Sequence, residues 1–146
     1  MTNIIEWSDD MSVGNDLLDK DHKILIKALN DFIQAIEDDE GVFVIDGIFT
    51  GLLNYTDFHF KREEKAMRIA GFPGLESHQG VHADLVEKVI DVRRRFMQCP
   101  TATLETEVSD FLKSWLQDHI LVQDMAYKPL MQSLDQDELN ARISEA

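Results

Sequence analysis

Apolar side chains recur every three or four residues along four long stretches of the chain, which is the period of an amphipathic α-helix. These stretches cover residues 18–36, 48–70, 78–96 and 104–119. None of them alternates apolar and polar residues with the period of two that a half-buried strand requires. The pattern therefore predicts an all-α protein.

Glycine and proline interrupt this pattern and set the expected ends of the helices. Gly41 ends an acidic run, Pro73 and Gly74 lie in a short break, and Pro100 follows Cys99. The resulting boundaries are helices at about 16–38, 43–70, 75–98 and 101–121, between an N-terminal arm at 1–15 and a tail at 122–146. We expect the tail to contain a short helix, and its polar end, from residue 135 onward, to be solvated.

Four amphipathic helices joined by short connections favour one domain, an up-down-up-down four-helix bundle in which each helix is antiparallel to the next. Gly47 and Gly51 weaken the start of the second helix by about 1 kcal/mol each relative to alanine. Tertiary packing therefore has to offset them.

All five histidines fall on the apolar faces of the predicted helices. They are His22, His59, His78, His82 and His119. A single histidine on such a face is more often a hydrogen-bonded core residue than a ligand. Five buried imidazoles, however, each need partners for two ring nitrogens, and few other buried polar groups are predicted. A bound metal would organise all five.

The positions of these histidines along the helices place them at one end of the bundle. The first and third helices have their histidines near their starts, and the second and fourth have theirs near their ends. Because neighbouring helices are antiparallel, these four places coincide. Glu63 follows His59 by four residues, as His82 follows His78, and residues at this spacing share a helix face. We expect Glu63 to join the histidines.

Spacing alone leaves Asp124 undecided. It lies five residues after His119, which is about 140° around an ideal helix. It can turn inward only if the backbone departs from a regular helix between Ile120 and Gln123. A surface acid at the end of the chain's last long helix is an equally good interpretation.

Five imidazoles with one or two carboxylates are too many ligands for one tetrahedral zinc ion, which takes four. They suit two octahedral ions that share bridging carboxylates and leave one coordination position open. Imidazole and carboxylate together favour iron, manganese or a similar ion over calcium. The ferritin-like di-iron enzymes are rich in carboxylates, whereas this set is rich in neutral nitrogen, which favours reversible binding of a small ligand over oxidation of a substrate.

The composition excludes several other classes of protein. The 146 residues include 28 Asp and Glu against 14 Lys and Arg, and the net charge of −14 argues against nucleic acid and anionic membranes as partners. The single cysteine, Cys99, excludes an internal disulfide and fits a reducing compartment. No apolar run is long enough to span a membrane, and residues 1–7 lack the features of a signal peptide. We expect a cytoplasmic protein that is a monomer.

Several motifs of the chain resemble those of the hemerythrins, and in particular those of the single-domain bacterial ones. The matching stretches are 13–23, 59–64, 72–78 with His82, and 115–120 with Asp124 and Tyr127. The resemblance covers nearly the whole chain, from Trp7 to about Leu130. It includes seven ligand positions in the family's order.

This resemblance implies a non-heme di-iron centre, with two iron ions and an oxo or hydroxo bridge, that binds dioxygen reversibly. It assigns three histidines to one iron and two to the other, namely His78, His82 and His119, and then His22 and His59. Glu63 and Asp124 would bridge the two ions, which favours Asp124 as a ligand and selects Glu63 over Glu64. The ion with only two histidines would have the open position.

Four apolar residues next to the ligands either line an oxygen pocket that excludes water or simply pack the core, and these are Phe60, Trp115, Leu116 and Ile120. Tyr127 matches a family tyrosine near the site. We expect a protein for oxygen carriage, storage or delivery, and not an enzyme. The alternatives are an oxygen or redox sensor and a di-iron oxidase or peroxidase. Delivery would require an oxygen-consuming protein as the partner.

Overall fold

The computed structural model describes residues 5–98 and 102–144, without the side chains of 102–105, 120 and 121. Within these ranges the chain is all-α and contains no strand. The helices are α1 Asp16–Glu37, α2 Val42–Ala70, α3 Leu75–Gln98, α4 Ala102–Asp118, α5 Lys128–Gln132 and α6 Gln136–Ile143. A 3-10 turn at Asp9–Met11 precedes α1, and a π-helical turn His119–Gln123 and a 3-10 turn Asp124–Tyr127 connect α4 to α5.

The long helices begin and end close to the predicted positions, with one difference. The fourth was predicted to run to residue 121, but its α-helical part ends at Asp118 and the backbone continues as the π-helical turn. Cys99, Pro100 and the predicted start of that helix at residue 101 lie outside the described residues.

The helices form the predicted bundle. α1 packs against α2 and α4, and α3 packs against the same two helices. Arg93, late in α3, donates two hydrogen bonds to Asp46, early in α2, at 2.8 and 3.0 Å. Such a contact between the end of one helix and the start of the next requires an antiparallel pair.

An apolar core fills the part of the bundle away from the histidines. Phe32, Phe49 and Phe96 are fully buried there, and the rings of Phe32 and Phe49 meet edge to face with centroids 5.3 Å apart. Burying an aromatic side chain contributes about 1.5–3 kcal/mol, so this region stabilises the fold independently of the histidine end. Among the described residues, no helix combines the length and apolar character needed to cross a bilayer.

Two helix ends near the histidines are determined by local sequence. The side chain of Asn15 accepts a hydrogen bond from the Leu18 amide at 3.0 Å and so caps the start of α1. Gly71 ends α2 in the left-handed conformation, with φ of 71°, and its amide and that of Phe72 bond back to the last turn. These caps fix where α1 begins and where the chain turns from α2 into α3.

The polar end of the tail forms the predicted short helix, α6, but one face of that helix is buried and not solvated as predicted. α6 packs against α2, and Leu139 and Ile143 are only 2% and 5% exposed. These two residues are four apart and form a narrow apolar face on an otherwise polar helix. The amide of the buried Asn15 side chain also donates to Gln136 and Asn140 at 3.0 and 2.7 Å, which ties the N-terminal arm to α6.

Candidate metal centre

The structure brings all seven predicted ligands together at one end of the bundle. α1 contributes one histidine near its start, α2 a histidine and a glutamate near its end, α3 two histidines in its first turns, and the π-helical turn and the residue after it a histidine and an aspartate. Every one of these side chains is buried, with no more than 5% exposed. The seven are His22, His59, Glu63, His78, His82, His119 and Asp124.

Three histidines surround one side of the cluster. The Nε2 atoms of His78 and His82 lie 3.0 and 2.9 Å from Glu63 Oε1. Those of His78 and His119 each lie 3.1 Å from Asp124 Oδ1. One oxygen of each carboxylate therefore faces this group.

The other two histidines face the remaining carboxylate oxygens. His59 Nε2 lies 2.9 Å from Glu63 Oε2, and His22 Nε2 lies 3.0 Å from Asp124 Oδ2. Glu63 and Asp124 thus each divide their two oxygens between a three-histidine group and a two-histidine group. The ligand atoms within each group lie within 4.8 Å of one another, which is compatible with a metal ion in each.

A cation fits the centre because hydrogen-bond acceptors face one another within it. An ionised carboxylate only accepts, so His59 donates from Nδ1 to Asp21 at 3.0 Å and His82 donates from Nδ1 to Glu64 at 2.8 Å. In the neutral ring, Nε2 is then a bare acceptor, yet in both residues it lies 2.9 Å from a Glu63 oxygen. Buried acceptors in this arrangement destabilise the fold unless a positive charge lies between them.

Unpartnered atoms support the same conclusion. Although His22 Nε2 and Asp124 Oδ2 are close, neither makes an oriented hydrogen bond, and both Asp124 oxygens are buried without one. Five imidazole nitrogens and four carboxylate oxygens form a donor set that suits iron or manganese better than calcium or a thiolate-bound zinc.

The π-helical turn brings Asp124 into the centre. The Asp124 amide donates to the carbonyl of His119, five residues earlier, which adds one residue to the turn. An ideal α-helix would have turned Asp124 about 140° away from His119. The predicted departure from a regular helix, between residues 120 and 123, is therefore present. It brings Asp124 Oδ1 to 3.1 Å from His119 Nε2.

The carboxylates shift the titration of the imidazoles around them. Burial alone would lower the pKa of His22, but the close approach of the negatively charged Asp124 and Glu63 carboxylates outweighs burial and raises that pKa to about 9. The same balance raises the pKa of His78 to about 9 and that of His119 to about 10. Burial would raise the pKa of the Glu63 carboxyl, but the neighbouring histidines hold it well below its usual value.

Apolar side chains enclose the three-histidine group. Phe60 is 3% exposed and stacks on the His82 ring, with centroids 3.8 Å apart and an interplanar angle of 1°. Trp115 lies beside Phe60, with centroids 6.3 Å apart, and Leu116 is buried in the apolar core. The side chain of Ile120, the fourth residue of the predicted oxygen pocket, lies outside the described residues.

Tyr127 is fully buried beside the carboxylates. Its hydroxyl donates to Glu63 Oε2 at 3.0 Å. Burial, together with the charges of Asp124 and Glu63, raises the pKa of this phenol well above its usual value, so it stays a donor.

Sequence reasoning missed the partners behind the histidines. Asp21 accepts from His59 Nδ1, and it also accepts from the Tyr55 hydroxyl at 2.8 Å and from Arg62 at 3.3 Å. Glu64 bonds to His82. The available signal was helical phase, because Asp21 lies three residues after the buried Leu18 and therefore on the core-facing side of α1.

The fold and the site together define a class, the four-helix-bundle proteins with a histidine-rich, carboxylate-bridged centre for metal cations. The sequence profile of the hemerythrin HHE cation-binding domain matches residues 13–131, which is most of the chain. The chain belongs to the hemerythrin family.

Several relatives share this similarity over most of their length. A bacteriohemerythrin of Stenotrophomonas maltophilia is 29% identical over 124 residues, which cover 85% of this chain and 79% of the relative. A bacteriohemerythrin of Clostridium acetobutylicum is 27% identical over a match that covers 83% of this chain and 96% of the relative. A myohemerythrin of the worm Riftia pachyptila is 29% identical over 84% of this chain and 89% of its own.

A solved structure has the same fold. It is the crystal structure of a leucine-to-phenylalanine mutant, which superposes with a TM-score of 0.77 and 22% sequence identity. The match covers 90% of this chain and 99% of that one. It confirms the predicted helical bundle.

Proposed function

We propose that the cluster holds two iron ions and that the chain binds dioxygen reversibly for carriage, storage or delivery. Binding of iron and of dioxygen follows from membership of the hemerythrin family. The count of two rests on one observation, the division of each carboxylate's oxygens between a group of three histidines and a group of two. One oxygen of Glu63 and one of Asp124 serve each group, as ligands that bridge two ions require.

The residues give each ion a different environment. His78, His82 and His119 would hold one iron, and His22 and His59 the other. Two ferrous ions held there would supply the two electrons that reversible binding of dioxygen uses. Since the two-histidine group has one imidazole fewer, it would leave room for a small ligand on that side.

The surrounding side chains orient the ligands and exclude water. Tyr127 holds Glu63 by a hydrogen bond to Oε2, and Phe60 holds the His82 ring by stacking. Phe60 and Trp115 are nearly inaccessible to solvent, so they limit the entry of water and anions that would promote irreversible oxidation.

We further propose that the chain is a carrier and not an enzyme. Five neutral imidazoles and two carboxylates give the centre fewer anionic oxygens than the glutamate-rich ferritin-like sites have. High-valent iron, which oxidases need, is stabilised less well by such a set. The remaining alternatives, a sensor or an oxidase, predict a different response to oxygen.

Oxygenation of the iron-loaded protein tests this function. The protein is reduced anaerobically, its iron is counted, and its visible spectrum is followed as oxygen is added and then removed under argon. We expect two iron ions per chain and a new absorption band that appears with oxygen and disappears without it. Rapid oxidation that argon does not reverse would contradict the carrier function and favour an enzyme or a redox sensor.

A variant connects this activity to the assigned ligands. His59→Ala removes one of the two histidines of the second group, so we expect about half of the iron to be lost and reversible oxygenation to be abolished. Asp57→Ala is the matched control, because Asp57 lies on the same helix, is exposed and forms a surface ion pair with the exposed Lys61 at 2.9 Å. Full oxygen binding in the His59 variant would refute the assignment.

A further inference from the structure

Asp21 lies behind the two-histidine group and is not one of its ligands. It is 1% exposed, and its Oδ2 atom accepts a hydrogen bond from His59 Nδ1 at 3.0 Å. Its other oxygen accepts from the Tyr55 hydroxyl at 2.8 Å and lies 3.3 Å from Arg62 Nη1. Three donors thus hold one buried carboxylate in a fixed orientation.

This carboxylate determines how the His59 ring is used. Because Asp21 accepts a hydrogen bond from Nδ1–H, the lone pair of the neutral ring is on Nε2, which lies 2.9 Å from Glu63 Oε2. An anionic acceptor behind an imidazole also makes the imidazole a better donor to a metal. Asp21 therefore determines that Nε2 is the His59 nitrogen available to a metal, and it makes that nitrogen a stronger donor.

The other imidazole of the same group has no such partner. His22 Nδ1 is buried and makes no hydrogen bond among the described residues. In the three-histidine group, Glu64 accepts from His82, but Glu64 is 21% exposed and bonds to a single imidazole. The most strongly anchored imidazole therefore belongs to the group with fewer histidines.

The charge of Asp21 is compensated locally. Arg62 is partly buried and supplies a positive charge, and Tyr55 supplies a neutral donor that shares the same carboxylate oxygen. A buried carboxylate with these partners keeps its negative charge without a direct bond to the metal.

We propose that Asp21 is a positioning residue that secures the ion of the two-histidine group by acting through His59. This inference rests on the proposed function, since it requires that the cluster hold two ions. The affinity of the two-histidine group for its ion should depend on Asp21. The affinity of the three-histidine group for the other ion should depend on Glu64 in the same way, but more weakly.

Cobalt alone, titrated into the metal-free full-length protein, tests the proposal independently of oxygen. The visible spectrum of Co²⁺ reports each binding event, and we expect two ions in the unaltered protein. Asp21→Asn should weaken one of the two dissociation constants by about 10–100-fold and leave the other unchanged. Asp21→Glu, which keeps the carboxylate, should restore part of the loss, and Asp57→Asn should change neither ion.

A second background shows which ion is affected. In His59→Ala, where the ion of the two-histidine group is already lost, Asp21→Asn should not weaken the remaining ion, whereas Glu64→Gln should. Tyr55→Phe provides a milder test that leaves Asp21 in place, and it should weaken the same ion as Asp21→Asn to a smaller extent.

The outcomes separate the two proposals. Two cobalt ions bound equally tightly by Asp21→Asn and by the unaltered protein would overturn the role of Asp21 alone. The role of Asp21 would also be overturned if Asp21→Asn, in the His59→Ala background, weakened the remaining ion as much as it weakens its own ion in the unaltered background. That result would show general damage to the fold. Only one cobalt ion in the unaltered protein would overturn the two-ion function and this inference with it.

Discussion

Each of the five histidines presents Nε2 to the cluster and directs Nδ1 outward. The inward atoms share the same two carboxylates, so the five rings differ mainly in what lies behind them. His59 has the buried Asp21, His82 has the partly exposed Glu64, and His119 Nδ1 has no hydrogen-bond partner among the described residues. Substitutions at these outward contacts can therefore change how strongly an individual imidazole binds a metal without removing that imidazole.

Tyr127→Phe should weaken the fold through Glu63. The substitution keeps the ring but removes the hydroxyl that donates to Glu63 Oε2. A hydrogen bond to a charged group contributes about 1.5–3 kcal/mol, so we expect the free energy of unfolding of the metal-free protein to fall by about that amount. Urea denaturation measures it. Ser114→Ala, at an exposed side chain, should change stability by less than about 0.5 kcal/mol, and equal effects of the two variants would contradict this account.

The sequence was sufficient to predict that the histidines and Glu63 lie together at one end of the bundle, because polar residues on apolar helix faces stand out. Helical spacing left Asp124 undecided, since only the local backbone determines which way that side chain points, and the family resemblance was what favoured it. Asp21 and Glu64 were not predicted as partners, because each lies next to a stronger ligand candidate in the sequence. Recognising them required knowing which helix packs behind each imidazole.

At the scale of helices, α2 combines two glycines, which lower its helix propensity, with two of the predicted metal ligands. Its first turns contain Gly47 and Gly51, and its last turns contain His59 and Glu63. Both glycines have open space where a Cβ would lie. Packing therefore does not require glycine at either position.

Gly51→Ala should stabilise the protein. Alanine is favoured over glycine in a helix interior by about 0.5–1 kcal/mol, and nothing lies within 4 Å of the added Cβ. Gly14→Ala should have the opposite effect, because Gly14 has φ of 85° and its Cβ would lie 2.6 Å from Gln132. We expect a loss of about 1–2 kcal/mol there. Thermal unfolding of both variants checks the pair, and a stabilised Gly14→Ala would contradict it.

Three of the four long helices could be predicted almost to the residue, because glycine, proline and helix period agree at their ends. The fourth could not, since a π-helical turn has no such punctuation and residues 119–123 read as a continuation of α4. The tail was misjudged for a different reason. Leu139 and Ile143 are too few to produce a clear apolar period, although both become buried against α2.

At the scale of the whole molecule, stability is divided between an apolar half and a metal-binding half. The phenylalanine-rich core requires no ligand, whereas the other end buries carboxylates and imidazoles together. Removal of the metal should therefore change the pH dependence of stability more than the fold.

The metal-free and metal-loaded proteins should respond oppositely to pH. The carboxylates raise the pKa values of His22 and His78 from 6.5 to about 9, so the stabilisation that they provide is complete below pH 6.5 and is lost as the pH rises to about 9. Bound metal needs deprotonated imidazoles, so the loaded protein should instead gain stability from acid to neutral pH. Denaturant midpoints of iron-loaded and chelator-treated protein between pH 6 and 10 would show this. Parallel curves would contradict it.

The π-helical turn has a consequence for the symmetry of the centre. His119 begins the π-helical turn that continues α4, and Asp124 follows that turn. On α2, His59 and Glu63 stand one α-helical turn apart, and α2 and α4 are diagonal in the bundle. Each of these two elements thus supplies one imidazole and one carboxylate, a correspondence that the extra residue of the π-helical turn conceals in the sequence. The third helix supplies two imidazoles and the first only one. One turn to either side of His22 stand Leu18 and Ile26, both buried and apolar. The unequal numbers of histidines in the two groups thus come from α1, which supplies one imidazole where α3 supplies two.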